Sequence, residues 1–385
     1  MNKKREDISE SIYSFGKGLG IAFLVMAILS FLILLLPFFL PNVYDYQTLG
    51  TLGDTVGGFL NPLIAIAAAL LTFLAFFIQY QANQYQRKSI ELQKKDLELA
   101  RFENNFFEMM RLHKENVNEM KISGYEMEFI QTLTPGNSQS PNNYSRSRTT
   151  KVTDGRKVFV TMNTELYSCF QICKFFLKNK DEHEVKKIAF QIFFYGINSE
   201  VIDKKCISKE VIKKLKEVRE IHYDSYGETN RIRLLLNDVH KEKDMPKVVG
   251  ELVKLYFKYR PFSGHESRLG HYYRHLFSCV NYVVDNEKKG LFEYSTSRHY
   301  LKILRSQLSN DEQLLLYYNY LLGAGAEWDK SGKRGNDFFT KYRMIHNIPI
   351  ERVKIVDPPQ SHFSDYIKNN FAELINDPLF EWGDT

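Results

Sequence analysis

The sequence predicts an all-α protein: an N-terminal two-helix transmembrane hairpin that continues into a mainly helical cytosolic domain. Three observations predict this class. Two long runs near the N-terminus, 18–44 and 55–86, contain no charged side chain. Apolar residues recur every three or four positions over most of the later chain, which is the period of a helix. Only one short stretch, Arg352–Val356, resembles a strand, and two prolines follow it.

The two apolar runs are each long enough to cross a bilayer. As a helix, Leu19–Leu40 would span about 33 Å, against a hydrocarbon core of about 30 Å. The second run, 56–80, is also long enough. A cleaved signal peptide is the alternative for the first run, because basic residues precede it. That run is too long for a signal peptide and no cleavage site of small residues follows it, so two retained transmembrane helices are predicted.

Basic residues near the two runs predict the orientation. Lys and Arg precede the first run and follow the second, whereas the connecting segment carries two aspartates and no basic residue. Cytosolic flanks of membrane helices are rich in Lys and Arg. We therefore expect a multi-pass protein of the inner membrane with both termini in the cytosol and the Asn42–Thr55 loop outside. The four cysteines form no CxxC pair, so Cys169 and Cys173 are expected in a reduced core.

Composition divides the chain into four parts. Residues 1–80 form the transmembrane hairpin, 81–131 a membrane-proximal long helix, 132–156 a flexible loop and 157–385 the helical cytosolic domain. A stripe of residues every seven positions, from Tyr85 to Met120, predicts helix packing in the second part. The partner is either the protein's own domain or other copies in a homo-oligomeric bundle. Ser, Asn, Pro and Gly dominate the third part, which is typical of a loop.

Helices are predicted throughout the fourth part. Ser309 with Glu312 forms a capping box before an apolar run, which predicts a helix start. The predicted helices are Glu184–Tyr195, Lys209–Ile221, Thr229–Lys241, Lys247–Tyr259, Glu266–Asp285, Thr296–Gln307, Asn310–Leu322 and Phe363–Ile375.

The entry to the second apolar run is rich in small residues. Glycines there are followed by an asparagine and a proline within an otherwise apolar stretch. Small residues let membrane helices approach closely, and a polar amide in lipid needs a partner. The segment is therefore either a tight external turn or a surface for assembly or pore lining. The candidate assembly residues are Gly53, Asp54, Gly57, Gly58, Asn61 and Pro62.

A second candidate site is a short segment rich in histidine and arginine. On a helix, His271 and His275 would share one face, which is the spacing of zinc ligands, but the metalloprotease glutamate is missing between them. Arginine and histidine could also receive a phosphate or nucleotide, and Arg268 with His275 has a spacing used by some helical ribonucleases. A structural hydrogen-bonding cluster is the remaining interpretation. The candidate residues are His265, Arg268, His271, Arg274 and His275.

A third candidate segment combines amide side chains with aromatic residues. This composition suits polar recognition, but it contains no nucleophile–base pair. The candidate residues are Arg305, Gln307, Asn310, Gln313 and Asn319. No catalytic residue, metal or cofactor is assigned from the sequence.

These segments resemble the phage abortive infection (AbiC-like) family of bacterial membrane proteins. The resemblance lies in an ordered series of segments: LGTLGDTVGGFLNPLIA (49–65), FLAFFIQYQANQ (73–84), NNFFEMMRLHKENV (104–117), GRKVF (155–159), GHYYRHLFSCVNYV (270–283) and LRSQLSNDEQLLLYYN (304–319). It implies defence against bacteriophage, with growth arrested or the cell lost before progeny mature. Similar two-helix membrane proteins are effectors of retron systems, so the resemblance implies a neighbouring defence component, such as a retron, as a partner.

Three functional hypotheses follow. The favoured one is a non-enzymatic membrane effector that responds to a phage-derived trigger, forms homo-oligomers and permeabilises the inner membrane. The alternative is a membrane-tethered ribonuclease or nucleotide-processing enzyme centred on residues 265–275. A scaffold with a simple membrane anchor is the third. The small excess of positive charge after the second run is compatible with lipid headgroups or a nucleic acid and identifies neither.

Overall fold

The computed structural model describes residues 46–131, 144–203, 209–224, 257, 259–330 and 335–384, together with most of 16–33 and residues 35 and 39. The chain divides into two compact units, 1–93 and 94–385. The described residues are mainly helical, which confirms the predicted class.

Among the described residues, two helices are long and apolar enough to cross a membrane, by length and composition. The first is Gly16–Ile33. The second is the apolar part of helix α1, which runs over Tyr46–Glu119 and contains Pro62. Within the segment Asn42–Thr55, the prediction of a loop is wrong from Tyr46 onward, because these residues are helical. Residues 42–45 lie outside the described residues, and the external location stays a prediction. The Thr55 side chain bonds to the carbonyl of Thr51 one turn earlier, at 2.8 Å, so the glycines there do not interrupt the helix.

In the second unit, the end of α1 packs on the protein's own domain. Phe106, His113 and Met120 of the predicted stripe are buried, whereas Tyr85 and Leu92 in the first unit are exposed. The C-terminal end of the stripe therefore packs in the protein's own core. The predicted helix over 81–131 is too long, because α1 ends at Glu119.

A β-hairpin follows α1. Strand β1, Lys121–Gln131, pairs antiparallel with β2, Tyr144–Asp154, and the register joins Lys121 to Asp154 and Gln131 to Tyr144. The prediction of a loop over 132–156 is thus wrong for β2, and 132–143 lies outside the described residues. The segment Tyr125–Phe129 alternates apolar and polar residues, which is the strand period. Ser and Thr in β2 made the second strand look like a loop.

The remaining elements form the helical part of the second unit. Helix α8 coincides with the predicted Asn310–Leu322, and its capping box is confirmed. The elements are α2 (Lys157–Phe176), α3 (Glu182–Tyr195), α4 (Glu200–Asp203), α5 (Lys209–Asp224), α6 (Glu266–Lys288), α7 (Tyr294–Arg305), α8 (Asn310–Leu322), 3-10 helices Ala326–Trp328 and Ile350–Arg352, α9 (Pro359–His362), α10 (Ser364–Asn369) and α11 (Phe371–Leu374).

Two predictions in the C-terminal part are wrong, and two others fall in a region described only in part. Arg352–Val356 is not a strand: a 3-10 helix ends at Arg352 and irregular backbone follows. Phe363–Ile375 is not one helix, because α10 and α11 are separated at Asn370, whose φ is −116°. The predicted helix Thr229–Lys241 lies outside the described residues. So does Lys247–Tyr259, except for Phe257 and Tyr259, which are not helical.

Helix α2 is the centre of the core. Its buried face follows the predicted periodicity through Val158, Met162, Leu166, Cys169 and Cys173. It contacts α3 and α8. Cys169, Cys173 and Cys279 are free and buried, which confirms the predicted core position of Cys169 and Cys173.

Candidate functional site

Helices α6 and α8 carry the second and third candidate segments, and tyrosines join them. The Tyr272 hydroxyl donates to Oε1 of Glu312 at 3.1 Å, and the Tyr273 hydroxyl donates to the carbonyl of Leu315 at 3.0 Å. Both tyrosines are buried, and burial raises both pKa values well above the usual range. They therefore remain neutral donors at physiological pH. The structure brings the two predicted segments together through Tyr272 and Tyr273, which were not among the predicted site residues.

Glu312 caps α8 and also accepts a hydrogen bond from the Tyr272 hydroxyl. Its Oε2 accepts hydrogen bonds from the Ser309 backbone nitrogen at 2.7 Å and from the Ser309 hydroxyl at 2.6 Å. Burial raises the pKa of Glu312, while its hydrogen bonds with Ser309 act in the opposite direction. The Arg156 guanidinium lies 3.9 Å from Oε2 and donates to the carbonyl of Gln307 at 2.6 Å. Arg156 is thus the cation nearest to this buried carboxylate.

His113 of α1 completes this group. Its ring lies 5.1 Å from the Tyr272 ring and 5.7 Å from the His275 ring, measured between centroids. Within the described part of the chain, neither ring nitrogen of His113 has a hydrogen-bond partner. Burial, with the positive charges of His275 and Arg156, lowers the pKa of His113 to about 4. We call His113, Arg156, Tyr272, His275 and Glu312 the junction site.

His265 belongs to a different, fully buried cluster. Its Nε2 lies 3.0 Å from Oε2 of Glu165. Glu165 also accepts a hydrogen bond from the Phe262 backbone nitrogen, at 2.6 Å, and another from the Tyr259 hydroxyl. Burial raises the pKa of Tyr259 well above its usual range, and the Glu165 carboxylate adds to the effect. Three donors on one buried carboxylate stabilise the segment that leads into α6.

A close backbone approach holds this segment in place. Gly264 has a φ of +91°, and a Cβ there would lie 2.6 Å from the Tyr195 carbonyl oxygen. Gly196 approaches from the other side, with a φ of +86°, and a Cβ on it would lie only 2.5 Å from the Ser263 carbonyl oxygen. Glycine is needed at both positions, because any side chain would both strain the backbone and collide with the facing chain.

The remaining predicted residues of this segment do not converge. Arg268 donates from Nε to the carbonyl of Lys121 at 2.9 Å, which ties α6 to β1. His271 and Arg274 are exposed. His275 is half-buried, and burial, with a contribution from His271, lowers its pKa. Its Nδ1 lies 3.5 Å from Sγ of Cys279. In the described part of the chain, no third ligand joins His271 and His275.

The third candidate segment consists largely of structural contacts. Arg305 is buried and donates to the carbonyl of Arg343 at 2.8 Å, and burial lowers its pKa to about 10. The backbone carbonyl of Asn319 accepts hydrogen bonds from the backbone nitrogens of Gly323 and Gly325, at the C-terminal end of α8. Gln313 is buried, whereas Asn310 is exposed. Gln307 contributes its backbone oxygen, to Arg156.

The candidate assembly residues all lie on helix α1. Gly53, Asp54, Gly58, Asn61 and Pro62 are exposed, and Gly57 is half-exposed. A Cβ at Gly57 would lie 3.9 Å from Nδ2 of Asn61, and nothing lies within 4 Å of Gly53 or Gly58. The interpretation of this segment as a tight turn is wrong, because it is helical. Residues 53, 57 and 61 are four apart and therefore share one helix face.

Several residues at these sites were missed by the sequence analysis. The sequence could have indicated Glu165, because it is an acidic residue between Met162 and Leu166 on the apolar side of α2. Arg156 lies in the segment GRKVF (155–159), but no pattern there predicts a contact with Glu312. Tyr272 lies in a segment where the histidines were more conspicuous.

Comparison with known proteins gives one match. Residues 264–353 match the family described as "Putative phage abortive infection protein". The match begins at Gly264, contains α6, α7 and α8, and covers less than a quarter of the chain. It confirms the predicted family resemblance for these residues and supports a role in phage defence in general. No curated protein and no solved structure matches the chain.

Proposed function

We propose that this chain, whose residues 264–353 match the abortive infection family, defends bacteria against phage by acting at the inner membrane. The family match is the observation that carries the defence role. The second unit senses infection, and the apolar helices then assemble and permeabilise the membrane. The trigger is a phage-derived product or a neighbouring defence component such as a retron.

The exposed surface of the apolar helices supports the membrane location. Phe59, Phe73 and Phe76 of α1 are 68–82% exposed. Water contact with many such side chains is unfavourable, by roughly 25 cal/mol for each Å² of apolar surface. A bilayer removes that cost. The basic flanks of both apolar runs favour cytosolic termini.

The face of α1 that contains Gly53, Gly57 and Asn61 is the proposed assembly surface. Small residues four positions apart let two membrane helices approach closely. Asn61 is exposed in an apolar stretch, where an amide is costly without a partner. A second copy of α1 would supply that partner and bury the glycines.

The junction site is the proposed route from sensing to the membrane. His113 lies on α1, the helix that also contains the apolar stretch, while Tyr272 and His275 lie on α6 within the family match. A trigger that shifts α6 would change the surroundings of a buried ring that has no hydrogen bond to any described residue. We expect such a shift to alter α1.

Membrane potential and cellular RNA integrity, measured together during phage infection, test the proposal. Depolarisation before lysis with intact RNA supports the effector. RNA cleavage with the potential held contradicts it and favours the alternative, an enzyme centred on residues 265–275. Since His265 and Arg268 make internal contacts, such an enzyme would depend on His271, Arg274 and His275. His271→Ala with Arg274→Ala should leave protection intact if the effector hypothesis is correct.

The expected topology has its own test. In intact spheroplasts, Gln47→Cys should react with a membrane-impermeant thiol reagent. Lys302→Cys, at an exposed position of the second unit, should react only after the membrane is permeabilised. The opposite pattern would contradict cytosolic termini.

A further inference from the structure

A cavity of about 290 Å³ opens on the surface of the second unit, between α2, α8 and the backbone that follows the 3-10 helix Ile350–Arg352. Its polar lining consists of Asn163, Thr164, Tyr167, Tyr318, Arg352 and Lys354. None of the junction-site residues lines it. Its volume is near the lower end of the range for small-molecule sites.

The charges at this cavity are mainly positive. Arg352 and Lys354 line it, and none of the described lining residues has a carboxylate. Arg352 pairs through Nη2 with Oδ1 of Asp311, at 2.5 Å, behind the lining. Lys354 has no carboxylate within ion-pair distance among the described residues, and its Nζ lies 5.6 Å from the centre of the Tyr167 ring. One cation is therefore left uncompensated, which favours an anionic ligand.

Helix α8 fixes the backbone that carries the two cations. The Tyr318 hydroxyl accepts a hydrogen bond from the Lys354 backbone nitrogen at 3.2 Å and lies 3.5 Å from the carbonyl oxygen of Arg352. Burial raises the pKa of Tyr318 to about 12, so the hydroxyl keeps its proton. A site fixed before binding loses less entropy when a ligand arrives.

Asn163 adds an acceptor. Its Nδ2 donates to the Asp311 carbonyl at 3.0 Å and to Oδ1 of Asp311 at 2.9 Å, which fixes the amide orientation. Its Oδ1 is buried and has no hydrogen-bond partner among the described residues. A buried acceptor without a donor is unfavourable, and a ligand N–H or O–H would remove that cost.

We propose that this cavity binds a small phosphate-bearing ligand, no larger than a nucleoside monophosphate. Lys354 and the free edge of Arg352 contact the phosphate oxygens, and Asn163 accepts a hydrogen bond from a neighbouring hydroxyl or amine. Free nucleotides and the headgroups of anionic lipids such as phosphatidylglycerol share this chemistry. The proposal does not depend on the membrane activity, since binding is measured without defence.

The test uses the full-length protein in nonionic detergent. Calorimetric titration with the four nucleoside monophosphates and thermal unfolding with added phosphatidylglycerol compare the two sources. Saturable binding of a nucleotide, with the parent nucleoside at least about tenfold weaker, assigns a soluble ligand. Stabilisation by the lipid, without a nucleotide response, assigns a headgroup. Either result supports the site only if it depends on Lys354.

Two variants and a control establish that dependence. Lys354→Gln should weaken binding about tenfold, the size of one hydrogen bond to a charged group. Thr164→Glu, at an exposed lining position, should abolish binding by placing a carboxylate at the phosphate. Lys302→Gln removes an exposed lysine outside the cavity and should change nothing. No response to any probe, or equal binding in Lys354→Gln and the wild type, would overturn the proposal.

Discussion

The hydroxyl of Tyr272 and the carboxylate of Glu312 are joined by a buried hydrogen bond of 3.1 Å. This contact links α6 to the first turn of α8, and both helices lie within residues 264–353. The other oxygen of Glu312 completes the capping box with Ser309. One buried side chain therefore starts one helix and fixes its position against another.

Removing this carboxylate should destabilise the second unit. Glu312→Ala loses the cap and leaves the buried Tyr272 hydroxyl unpaired, so we expect the free energy of unfolding to fall by about 2–4 kcal/mol. Tyr272→Phe, which keeps the cap, should cost less, about 1 kcal/mol. Urea unfolding followed by the fluorescence of the buried Trp328 measures both.

Glu327 provides the control for that measurement. It is exposed and pairs with Lys330 at 2.8 Å, so Glu327→Ala should change the unfolding free energy by less than about 1 kcal/mol. Equal losses of unfolding free energy in Glu312→Ala and Glu327→Ala would show that the buried contact stabilises the protein no more than an exposed ion pair does.

His113 should make the protein less stable in acid. The unfolded chain takes up a proton on this histidine near pH 6.5, whereas the folded chain does so only near pH 4. Between these values the unfolded state binds more protons, so the contribution of His113 to stability is greatest above pH 6.5 and falls as the pH decreases. The loss from this residue approaches about 3 kcal/mol at pH 4.

His113→Phe tests this dependence, because phenylalanine keeps a ring beside Tyr272 but cannot titrate. The variant should lose less stability than the wild type between pH 6.5 and pH 4, as measured by urea unfolding at each pH. His183→Gln, at an exposed position of α3, should keep the wild-type slope. A His113→Phe protein with an unchanged slope would contradict the role of this ring.

Gly264 should tolerate no side chain. Gly264→Ala places Cβ 2.6 Å from the Tyr195 carbonyl oxygen at a φ of +91°, so the backbone must move. We expect a loss of more than about 2 kcal/mol in unfolding free energy. Gly290→Ala is the matched control, since its φ is +79° but nothing lies within 4 Å. Gly290→Ala should lose only about 1–2 kcal/mol of unfolding free energy, from the strained backbone conformation. Equal losses in Gly264→Ala and Gly290→Ala would exclude the close approach to Tyr195 as the cause.

The elements that could be predicted from the sequence are those with local signals. Helix α8 has a capping box at its start and Gly323 directly after its end, so the predicted range Asn310–Leu322 is correct. The apolar face of α2 repeats with helical spacing. Strand β2 lacks such a signal, because its residues are mostly polar and its partner β1 supplies the pairing. The predicted helix Phe363–Ile375 is interrupted at Asn370. The spacing of its apolar residues does not indicate this interruption.

The buried sites depend on contacts between distant parts of the sequence. Glu165 meets Tyr259, Phe262 and His265, which follow it by 94 to 100 residues. The helical prediction could place His271 and His275 on one face of α6. It could not show that His113, far earlier on α1, would pack beside His275, because that contact results from tertiary packing.

Two neighbouring glycines of α1, Gly57 and Gly58, should differ in their effect on the proposed assembly face. Successive residues of a helix are about 100° apart, so Gly57 and Gly58 point in different directions. Gly57 shares the face of Gly53 and Asn61, and Gly58 does not. Gly57→Leu should block close approach of two helices, whereas Gly58→Leu adds the same side chain elsewhere. Both variants are first checked for wild-type amounts in the membrane fraction.

Protection is then measured as the efficiency of phage plating. Gly57→Leu should reduce protection by at least about tenfold, because a leucine side chain blocks the close approach of two helices and a loss of about 1.4 kcal/mol in assembly is a factor of ten. Asn61→Leu, which removes one hydrogen bond, should reduce it less, and Gly58→Leu should stay near the wild type. Full protection and wild-type depolarisation in Gly57→Leu would contradict assembly through this face. Equal losses in the two glycine variants would mean that added bulk, rather than the face that carries it, disturbs the helix.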